Sequence, residues 1–317
     1  MRAALFIFLW VLFGGARAAE PVEQNLVLGQ GEQALHGSLL LPGGAAKPLV
    51  ALIISGSGPT DRDGNSLGLP GKNNSLKLLA EGLAREGIAS LRFDKRGVAA
   101  SAKALSAESN LRFDHYADDA AAWIELLRKD SRFGGVAVIG HSEGAALGLL
   151  AAQRGGVAAY VSLAGIGRDA ATVLREQLKG KLPPDLAERS EQILQSLQRG
   201  ETVADTPPML AALYRRSVQP YLISWFKVDP SREIARLKMP VMVIQGTTDV
   251  QVSMADAELL VAAKPEAKLL RVEGMNHVLK AVSGSGAQQV PSYSDPALPL
   301  APGLVEGLAA FLKQGKP

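Results

Sequence analysis

The sequence predicts an α/β protein in which a mostly parallel sheet is covered by helices on both faces. Strand-like and helix-like segments alternate along most of the chain, and hydrophobic residues make up 47% of it against 21% charged. Several strand-like segments, such as Lys47–Ser55 and Ile88–Asp94, are nearly continuous apolar runs. A strand that is buried on both faces has this pattern, and its alternation with helices is typical of a parallel sheet between two helical layers.

The other predicted elements follow from local signals. The segment Asn74–Glu86 places Leu76, Leu79 and Leu83 on one face of a helix, and Gly87 follows as its C-terminal stop. Further strands are predicted over Gln24–Leu28, Ala34–Leu41, Val136–Ile139, Val157–Gly165, Pro240–Gly246 and Ala267–Gly274. Further helices are predicted over Asp114–Arg128, from about Glu143, over Ser253–Ala263 and over Leu304–Leu312.

One segment interrupts this alternation. Residues 168–238 contain no strand-like run, and they carry helical patterns over Ala171–Leu178 and Leu186–Leu197. We expect a helical insertion that lies over one edge of the sheet as a lid, although helical decoration with no part in function predicts the same pattern. The segment also holds an aromatic cluster, which forms either the core of the lid or the wall of a pocket: Tyr214, Tyr221, Trp225 and Phe226.

The first 19 residues have the pattern of a secretory signal peptide. An early positive charge at Arg2 precedes an apolar run over Ala3–Phe13, and small residues follow up to Ala16-Arg17-Ala18. The run is shorter than the about 20 apolar residues that span a bilayer, so no stable membrane insertion is expected after cleavage, although an uncleaved anchor is the alternative. The sequence has no cysteine, which leaves no lipidation site and no disulfide framework. We expect a periplasmic or secreted protein with one domain over residues 20–317.

The charge distribution argues against a nucleic-acid partner. The formal charge is +3, loss of Arg2 and Arg17 with the leader lowers it to +1, and charges of both signs are well mixed. The scattered histidines form no metal-ligand cluster, and no glycine pattern of a dinucleotide or phosphate loop occurs. The sequence therefore predicts neither a metal nor a cofactor.

A serine between two glycines marks the candidate site. Gly140-His141-Ser142-Glu143-Gly144 stands where a predicted strand gives way to a run rich in Ala and Leu. A nucleophilic serine at the end of a strand needs a sharp strand-to-helix turn, with strained backbone at the serine and no side chain two positions before and after it. A second match, Gly64–Gly68, lies among turn-forming residues with no strand before it and no helix directly after it, so Ser66 is interpreted as a loop serine.

The chain offers four histidines as the base that such a serine requires. His141 adjoins Ser142, and its side chain leaves the turn in another direction. His36 lies within an early strand, and His115 begins a helix, where capping or packing is the simpler role. His277 follows the last strand, where a loop can return it over the sheet, and it is therefore the predicted base.

The acid that orients the base is expected in the loop after a strand between the serine and the histidine. Asp249 follows the strand Pro240–Gly246 by three residues, whereas Asp256 lies within the next helix and is interpreted as solvated surface. The resulting order along the chain, Ser142, Asp249 and His277, is that of the α/β-hydrolases.

Two backbone amides are predicted to form the oxyanion hole. One belongs to Glu143, which follows the nucleophile, and the other lies in the loop after the third strand, where position selects Ser57. The side chain of Glu143 is assigned no chemistry, because a carboxylate in the first turn of a helix is favourable in itself.

Several motifs together resemble the α/β-hydrolase superfamily over nearly all of the mature chain. LRFDKRGVAAS, starting at Leu91, resembles the stretch after the fourth strand in many members. SGSGPTDRDGN, GHSEG and MNHVLK resemble a bacterial group of EstD-like carboxylesterases and serine aminopeptidase-like (S33) hydrolases. The resemblance implies an α/β-hydrolase fold and hydrolysis of short-chain acyl esters. The common His-Gly of the oxyanion loop is replaced here by Ser55-Gly56, which leaves the role of the backbone intact.

The sequence thus predicts a serine carboxylesterase that acts on a small-molecule ester through Ser142, His277 and Asp249. An amidase or aminopeptidase would use the same residues, and it would need acidic residues for a substrate amine, for which Glu191, Glu201 and Asp205 are the candidates. Acyl transfer to an acceptor other than water, and a binding protein on the same fold, are the remaining alternatives.

Overall fold

The computed structural model describes residues 19–68, 70–284 and 286–314. Its centre is an eight-stranded sheet in the order β1-β2-β4-β3-β5-β6-β7-β8. The strands β1 and β2 are antiparallel to their neighbours, and all later neighbours pair in parallel. The strands are β1 (Val22–Leu28), β2 (Leu35–Leu41), β3 (Leu49–Ile54), β4 (Ala89–Phe93), β5 (Gly135–His141), β6 (Ala159–Leu163), β7 (Val241–Gly246) and β8 (Lys268–Val272).

Ten α-helices are found in the described part of the chain. They are α1 (Ser75–Arg85), α2 (Phe113–Lys129), α3 (Glu143–Ala152), α4 (Ala170–Leu178), α5 (Pro184–Gln198), α6 (Ala211–Tyr214), α7 (Gln219–Trp225), α8 (Pro230–Ile234), α9 (Met254–Ala263) and α10 (Leu304–Gln314). The predicted strands and helices of the alternating core are therefore all confirmed, with boundaries that differ by a few residues.

The central strands are apolar throughout because each of their faces has its own core. Along β3, Val50 and Leu52 pack into one hydrophobic cluster with α2 and α3, whereas Ala51 and Ile53 pack into the other with α1 and α10. Successive side chains of a strand point to opposite faces, so a strand between two helical layers buries every residue. This double burial explains the unbroken apolar run from which β3 was predicted.

The segment between β6 and β7 is helical, as expected from its sequence. It contains the helices α4 to α8 and no strand. Tyr214 is fully buried within this segment and its hydroxyl contacts Ser190 Oγ at 3.0 Å. Trp225 instead stacks on Phe113 of α2, with 5.6 Å between the ring centroids. The aromatic cluster therefore serves both as the core of the helical insertion and as its contact with the main domain.

The loop after β3 is tied to the adjacent strand ends by two ion pairs. Arg62 binds Asp94 through Nη2 and Oδ2 at 2.7 Å, and Asp63 binds the buried Arg92.

Within residues 19–68, 70–284 and 286–314, no helix is long and apolar enough to cross a membrane. The expected signal peptide lies outside the described residues, apart from Ala19.

Candidate active site

Ser142 occupies a strained turn between β5 and α3. Its backbone angles are φ 55° and ψ −121°, a region that residues with a side chain rarely adopt. A Cβ atom added to Gly140 would lie 2.2 Å from the carbonyl oxygen of Gly144, and one added to Gly144 would lie 2.3 Å from the carbonyl oxygen of Ile54. Strand and helix therefore approach so closely that only glycine fits at both positions, as the motif predicts.

The turn leaves the side chain of Ser142 at the floor of a cavity and only half buried. The amide of Ser142 donates to the carbonyl oxygen of Leu163 at 2.9 Å, which fixes the turn against β6. The hydroxyl of Ser142 makes no hydrogen bond with any described residue, so it is available to a molecule in the cavity.

His277 and Asp249 form a buried pair beside this turn. Nδ1 of His277 lies 2.8 Å from Oδ2 of Asp249, and the two side chains are 8% and 0% exposed. An ionised carboxylate only accepts hydrogen bonds, so Nδ1 carries the proton and Nε2 of the neutral ring presents a lone pair. The structure thus brings together the two residues that the sequence assigns as base and acid.

The carboxylate of Asp249 is oriented by three further donors. The amides of Gln251 and Val252 donate to Oδ1 at 2.8 and 3.0 Å, and Nε2 of the buried Gln245 donates to Oδ2 at 3.2 Å. Burial raises the pKa of Asp249, but the nearby His277 and these hydrogen bonds outweigh it, so that the net pKa is lowered. The group is therefore ionised at neutral pH.

His141 supports His277 from the other side. Its Nε2 lies 2.8 Å from the carbonyl oxygen of His277, and the two ring centroids are 5.0 Å apart. Burial, followed by the charge of His277, lowers the pKa of His141 to about 3. His141 is thus neutral at ordinary pH and donates from Nε2. The sequence analysis did not predict this contact of His141 with the loop of His277.

The two amides predicted for the oxyanion hole border the same cavity as Ser142. Ser57 and Glu143 both line it, and neither backbone amide has a hydrogen-bond partner among the described residues. Unbonded amides at a helix N-terminus and in a glycine-flanked loop are suited to bind a developing negative charge.

A buried lysine that sequence reasoning missed joins these two segments. Nζ of Lys95 donates to the carbonyl oxygen of Gly56 at 2.5 Å and to Oε1 of Glu143 at 3.1 Å. The side chains of Lys95 and Glu143 are 1% and 2% exposed. The only signal for Lys95 in the sequence is its place two residues after the end of β4, inside the motif that begins at Leu91.

The other candidate residues have the structural roles that the sequence favoured. Ser66 forms an isolated bridge with Thr60 in the loop after β3 and does not line the cavity. His36 lies in β2. His115 accepts a hydrogen bond from the amide of Arg112 through Nδ1 at 3.3 Å, which caps the start of α2.

The interpretation of Asp256 as solvated surface is wrong. The residue is 1% exposed, and its carboxylate accepts from Ser253 Oγ, from the amide of Gly167 and from two guanidinium nitrogens of Arg168. It caps α9 and ties this helix to the chain after β6. A helical position alone does not reveal which face meets a neighbouring segment, which is why the sequence gave no sign of this burial.

The cavity above Ser142 has a volume of about 400 Å³. Its wall is mainly apolar and combines the main domain with the helical insertion; it includes Leu111, Tyr116, Ile166, Val173, Tyr221 and Trp225. Its charged residues are neutralised in place, since Arg96 binds Asp119 and Arg215 binds Glu108. An apolar cavity with a few polar groups at one end is the usual form of a small-molecule site.

Comparisons with known proteins agree with this architecture. Esterase EstD from Thermotoga maritima is 27% identical over 274 residues, which cover 82% of this chain and 61% of that protein's length. Among solved structures, Est1E from Butyrivibrio proteoclasticus with bound ferulic acid has a TM-score of 0.58 at 18% identity, over 89% of this chain and 93% of that one. A thermophilic esterase from Thermogutta terrifontis has a TM-score of 0.56 at 15% identity, over 93% and 100%. At these identities the two structural likenesses show the fold.

The family assignment rests on a longer match. The model of the alpha/beta hydrolase family matches residues 51–284, a span that runs from β3 past His277 and contains the strained turn at Ser142. Because this match extends over well more than half of the sequence, and because the strand order and the turn geometry agree with it, the chain belongs to the alpha/beta hydrolase family.

Proposed function

We propose that the protein is a serine carboxylesterase that hydrolyses small-molecule esters through an acyl-enzyme on Ser142. The observation that carries the proposal is the 2.8 Å contact between His277 and the buried Asp249, beside a serine held at a strained strand-to-helix turn. The 27% identity to Esterase EstD supports an ester substrate. Hydrolysis by these residues needs no metal and no cofactor.

In the acylation half-reaction, Oγ of Ser142 attacks the ester carbonyl carbon and Nε2 of His277 takes the hydroxyl proton. The hydrogen bond from Oγ of Ser142 to Nε2 of His277 is expected to form as substrate binds, because catalytic hydrogen bonds often tighten only in the substrate complex. The oxyanion is stabilised by the amides of Ser57 and Glu143, each worth on the order of 3 kcal/mol. The bond to the alkoxy oxygen then breaks, and His277 gives its proton to the leaving alcohol.

In the deacylation half-reaction, water replaces the alcohol. Nε2 of His277 takes a proton from the water as its oxygen attacks the acyl carbon, and a second oxyanion forms in the same hole. The bond to Oγ of Ser142 breaks, Ser142 recovers its proton from His277, and the carboxylic acid leaves. Asp249 stays ionised throughout and stabilises the imidazolium.

The charges around the cavity favour an ester over the substrate of an aminopeptidase. A free carboxylate would be needed to bind an α-amino group, but the two acidic residues that line the cavity, Glu108 and Glu143, are already bound to Arg215 and Lys95. The candidates Glu191, Glu201 and Asp205 do not line it. We therefore propose a neutral, mainly apolar acyl group, and the short chain length is proposed from the resemblance to the EstD-like group alone.

The test is hydrolysis of p-nitrophenyl acetate, butyrate and octanoate by the purified chain, beside Ser142→Ala. We expect turnover with preference for the shorter esters, and loss of turnover in the variant. Absence of turnover on every ester would contradict the proposal. Labelling by a fluorophosphonate without ester turnover would favour the amide or acyl-transfer alternatives, whereas absence of both would favour a binding protein.

We further propose export of the chain to the periplasm or the medium. The support is the pattern of residues 1–19 and the absence of cysteine from the sequence. Expression of the full chain in a Gram-negative host, followed by fractionation and N-terminal sequencing, tests this. We expect the exported chain to start near Ala19 or Glu20, and retention of Met1 on a membrane-bound product would indicate an uncleaved anchor.

A further inference from the structure

We propose that Lys95 is a positioning residue that holds both amides of the oxyanion hole in their working orientation. This inference rests on the proposed function, because it concerns the same site. It starts from a single buried ammonium group that reaches two segments far apart in sequence. Nζ of Lys95 contacts the carbonyl oxygen of Gly56 at 2.5 Å and Oε1 of Glu143 at 3.1 Å.

The contact with Gly56 determines the direction of the amide of Ser57. The carbonyl of Gly56 and the N–H of Ser57 belong to one planar trans peptide unit, so they point in opposite directions. A carbonyl held toward Lys95 therefore turns the N–H of Ser57 away from Lys95. Rotation of this peptide would aim the carbonyl oxygen where the N–H should be, and the hole would lose a donor.

The loop itself offers little resistance to such a rotation. Rotation of the peptide between Gly56 and Ser57 changes ψ of Gly56 and φ of Ser57, and Gly56 has no Cβ to restrict its ψ. The loop is also anchored through Thr60, whose hydroxyl donates to the carbonyl oxygen of Ser57 at 2.8 Å. That bond fixes the peptide unit between Ser57 and Gly58. The peptide unit between Gly56 and Ser57 is held by the hydrogen bond from Lys95.

The contact with Glu143 fixes the second donor. Glu143 is the first residue of α3 and carries the other predicted amide, so an anchor on its side chain restrains the helix start beside Ser142. An ammonium group has three N–H donors, which suits this role. Two of them reach the carbonyl oxygen of Gly56 and the carboxylate of Glu143. The ammonium also lies 5.1 Å from the centre of the Tyr116 ring. Lys95 is thus a buried charge with two hydrogen-bond acceptors and one aromatic contact.

Burial makes this arrangement rigid. Both partners are almost fully excluded from water, and an ion pair in such a place persists only with complete hydrogen bonding. Loss of one partner leaves an unpaired buried charge and destabilises the whole protein. A test on Lys95 must therefore separate a change in the oxyanion hole from a change in stability.

The decisive variant is the double substitution Lys95→Met with Glu143→Gln, which removes both charges. Glu143→Gln alone is the variant measured beside it, because this variant keeps Lys95 and its hydrogen bond to the carbonyl oxygen of Gly56. Kinetics with p-nitrophenyl butyrate give kcat and KM, and a trifluoromethyl ketone, which forms a tetrahedral oxyanion on the serine, gives an inhibition constant. Arg168→Met is the matched control, since Arg168 also binds a buried carboxylate, that of Asp256, but does not line the cavity.

We expect the double variant to lose about 10²-fold in kcat, the size of effect of one missing oxyanion donor, with KM within about threefold of the wild type. The inhibition constant of the ketone should rise by a similar factor. Arg168→Met should keep kcat within about fivefold, whereas Glu143→Gln, which keeps the bond to Gly56 but loses the carboxylate anchor, should have a kcat between those of the wild type and the double variant. A folded double variant with unchanged kcat and unchanged ketone binding would overturn the inference.

A crystal structure of the double variant separates this inference from the proposed function. If the wild type neither turns over esters nor reacts with a fluorophosphonate, the proposed function fails, and the orientation of the peptide between Gly56 and Ser57 still tests the role of Lys95. A peptide that has rotated, or that occupies two orientations, supports the inference. An unchanged peptide in the variant contradicts it.

Discussion

Nε2 of His141 donates a hydrogen bond to the backbone carbonyl of His277 at 2.8 Å, so the residue before the candidate nucleophile holds the loop of the candidate base. The bond links the end of β5 to the loop after β8, which are remote in sequence. Burial keeps His141 neutral by lowering its pKa to about 3, and the neutral ring donates this bond in its Nε2–H tautomer. The ring therefore links two parts of the site without titrating near neutral pH.

This arrangement predicts an acid-dependent contribution of His141 to stability. The pKa is about 3 in the folded chain and 6.5 when unperturbed, so the unfolded state binds the proton more readily and stability falls as the pH drops below 6.5. Between pH 7 and pH 5, the shifted pKa of His141 should lower the free energy of unfolding by about 2 kcal/mol. Urea denaturation of the wild type and of His141→Gln at the two pH values measures this.

His141→Gln serves as the control, because it shares every other titrating group with the wild type. A difference in pH dependence between the two proteins is therefore due to His141. His141→Gln keeps an amide donor near the carbonyl of His277 but cannot take up a proton at these pH values. The free energies of unfolding of the two proteins should converge as the pH falls. A constant difference between pH 7 and pH 5 would show that His141 titrates normally in the folded state.

Substitution of two buried aspartates should have very different effects on activity. Asp249→Asn should lower kcat on the order of 10⁴-fold, because an amide at this place favours the wrong tautomer of His277. Asp256→Asn should keep kcat within about threefold and lower the free energy of unfolding by about 1–3 kcal/mol, because it weakens the cap of α9 and the bond to Arg168. Ester kinetics and urea denaturation of both variants distinguish the two roles.

The sign of the pH effect for Asp256 follows from its surroundings. Burial raises its pKa, but Arg168 and the amide of Gly167 outweigh it, so the folded state holds the group ionised and the net pKa is lowered. Its contribution is therefore present above the unfolded value of 3.8 and is lost as the pH falls through the folded value. A destabilisation by Asp256→Asn that is as large at pH 2 as at pH 7 would contradict this.

The two Gly-x-Ser-x-Gly motifs supply a matched pair of glycine substitutions. Gly144→Ala would place a Cβ 2.3 Å from a backbone oxygen of Ile54, and we expect a loss of about 3 kcal/mol or more, together with loss of activity. Gly68→Ala meets no atom closer than 4.0 Å, and its effect on the free energy of unfolding should stay within about 0.5 kcal/mol. Equal stability of the two variants in thermal denaturation would refute the close approach of α3 to the end of β3.

These cases also show what the sequence could predict. The turn at Ser142 was predictable because its signals are local. They are an apolar strand, two glycines at fixed spacing and small residues in the first turn of the helix. Asp249 and His277 were predictable because parallel strands bring the loops at their carboxyl ends to one edge of the sheet. Chain order and placement therefore predicted that Asp249 and His277 lie together, whereas the catalytic roles of the three residues stay predictions.

What escaped the sequence depends on contacts between distant segments. The contact of Lys95 with Gly56 and Glu143 joins two loops and the start of α3, and no local pattern indicates that the ammonium turns inward. The burial of Asp256 likewise depends on Arg168, which lies 88 residues away. The positions of these polar residues show no periodicity that identifies their partners, so their roles emerge only from the folded structure.

The most direct test of the central claim is the site at which a fluorophosphonate reacts. We predict stoichiometric labelling of the purified chain, with the modified peptide mapped by mass spectrometry to Ser142. Ser66→Ala, the matched change in the second motif, should retain labelling and ester turnover, and Ser142→Ala should lose both. Modification of another serine, or labelling and turnover that survive in Ser142→Ala, would contradict the account.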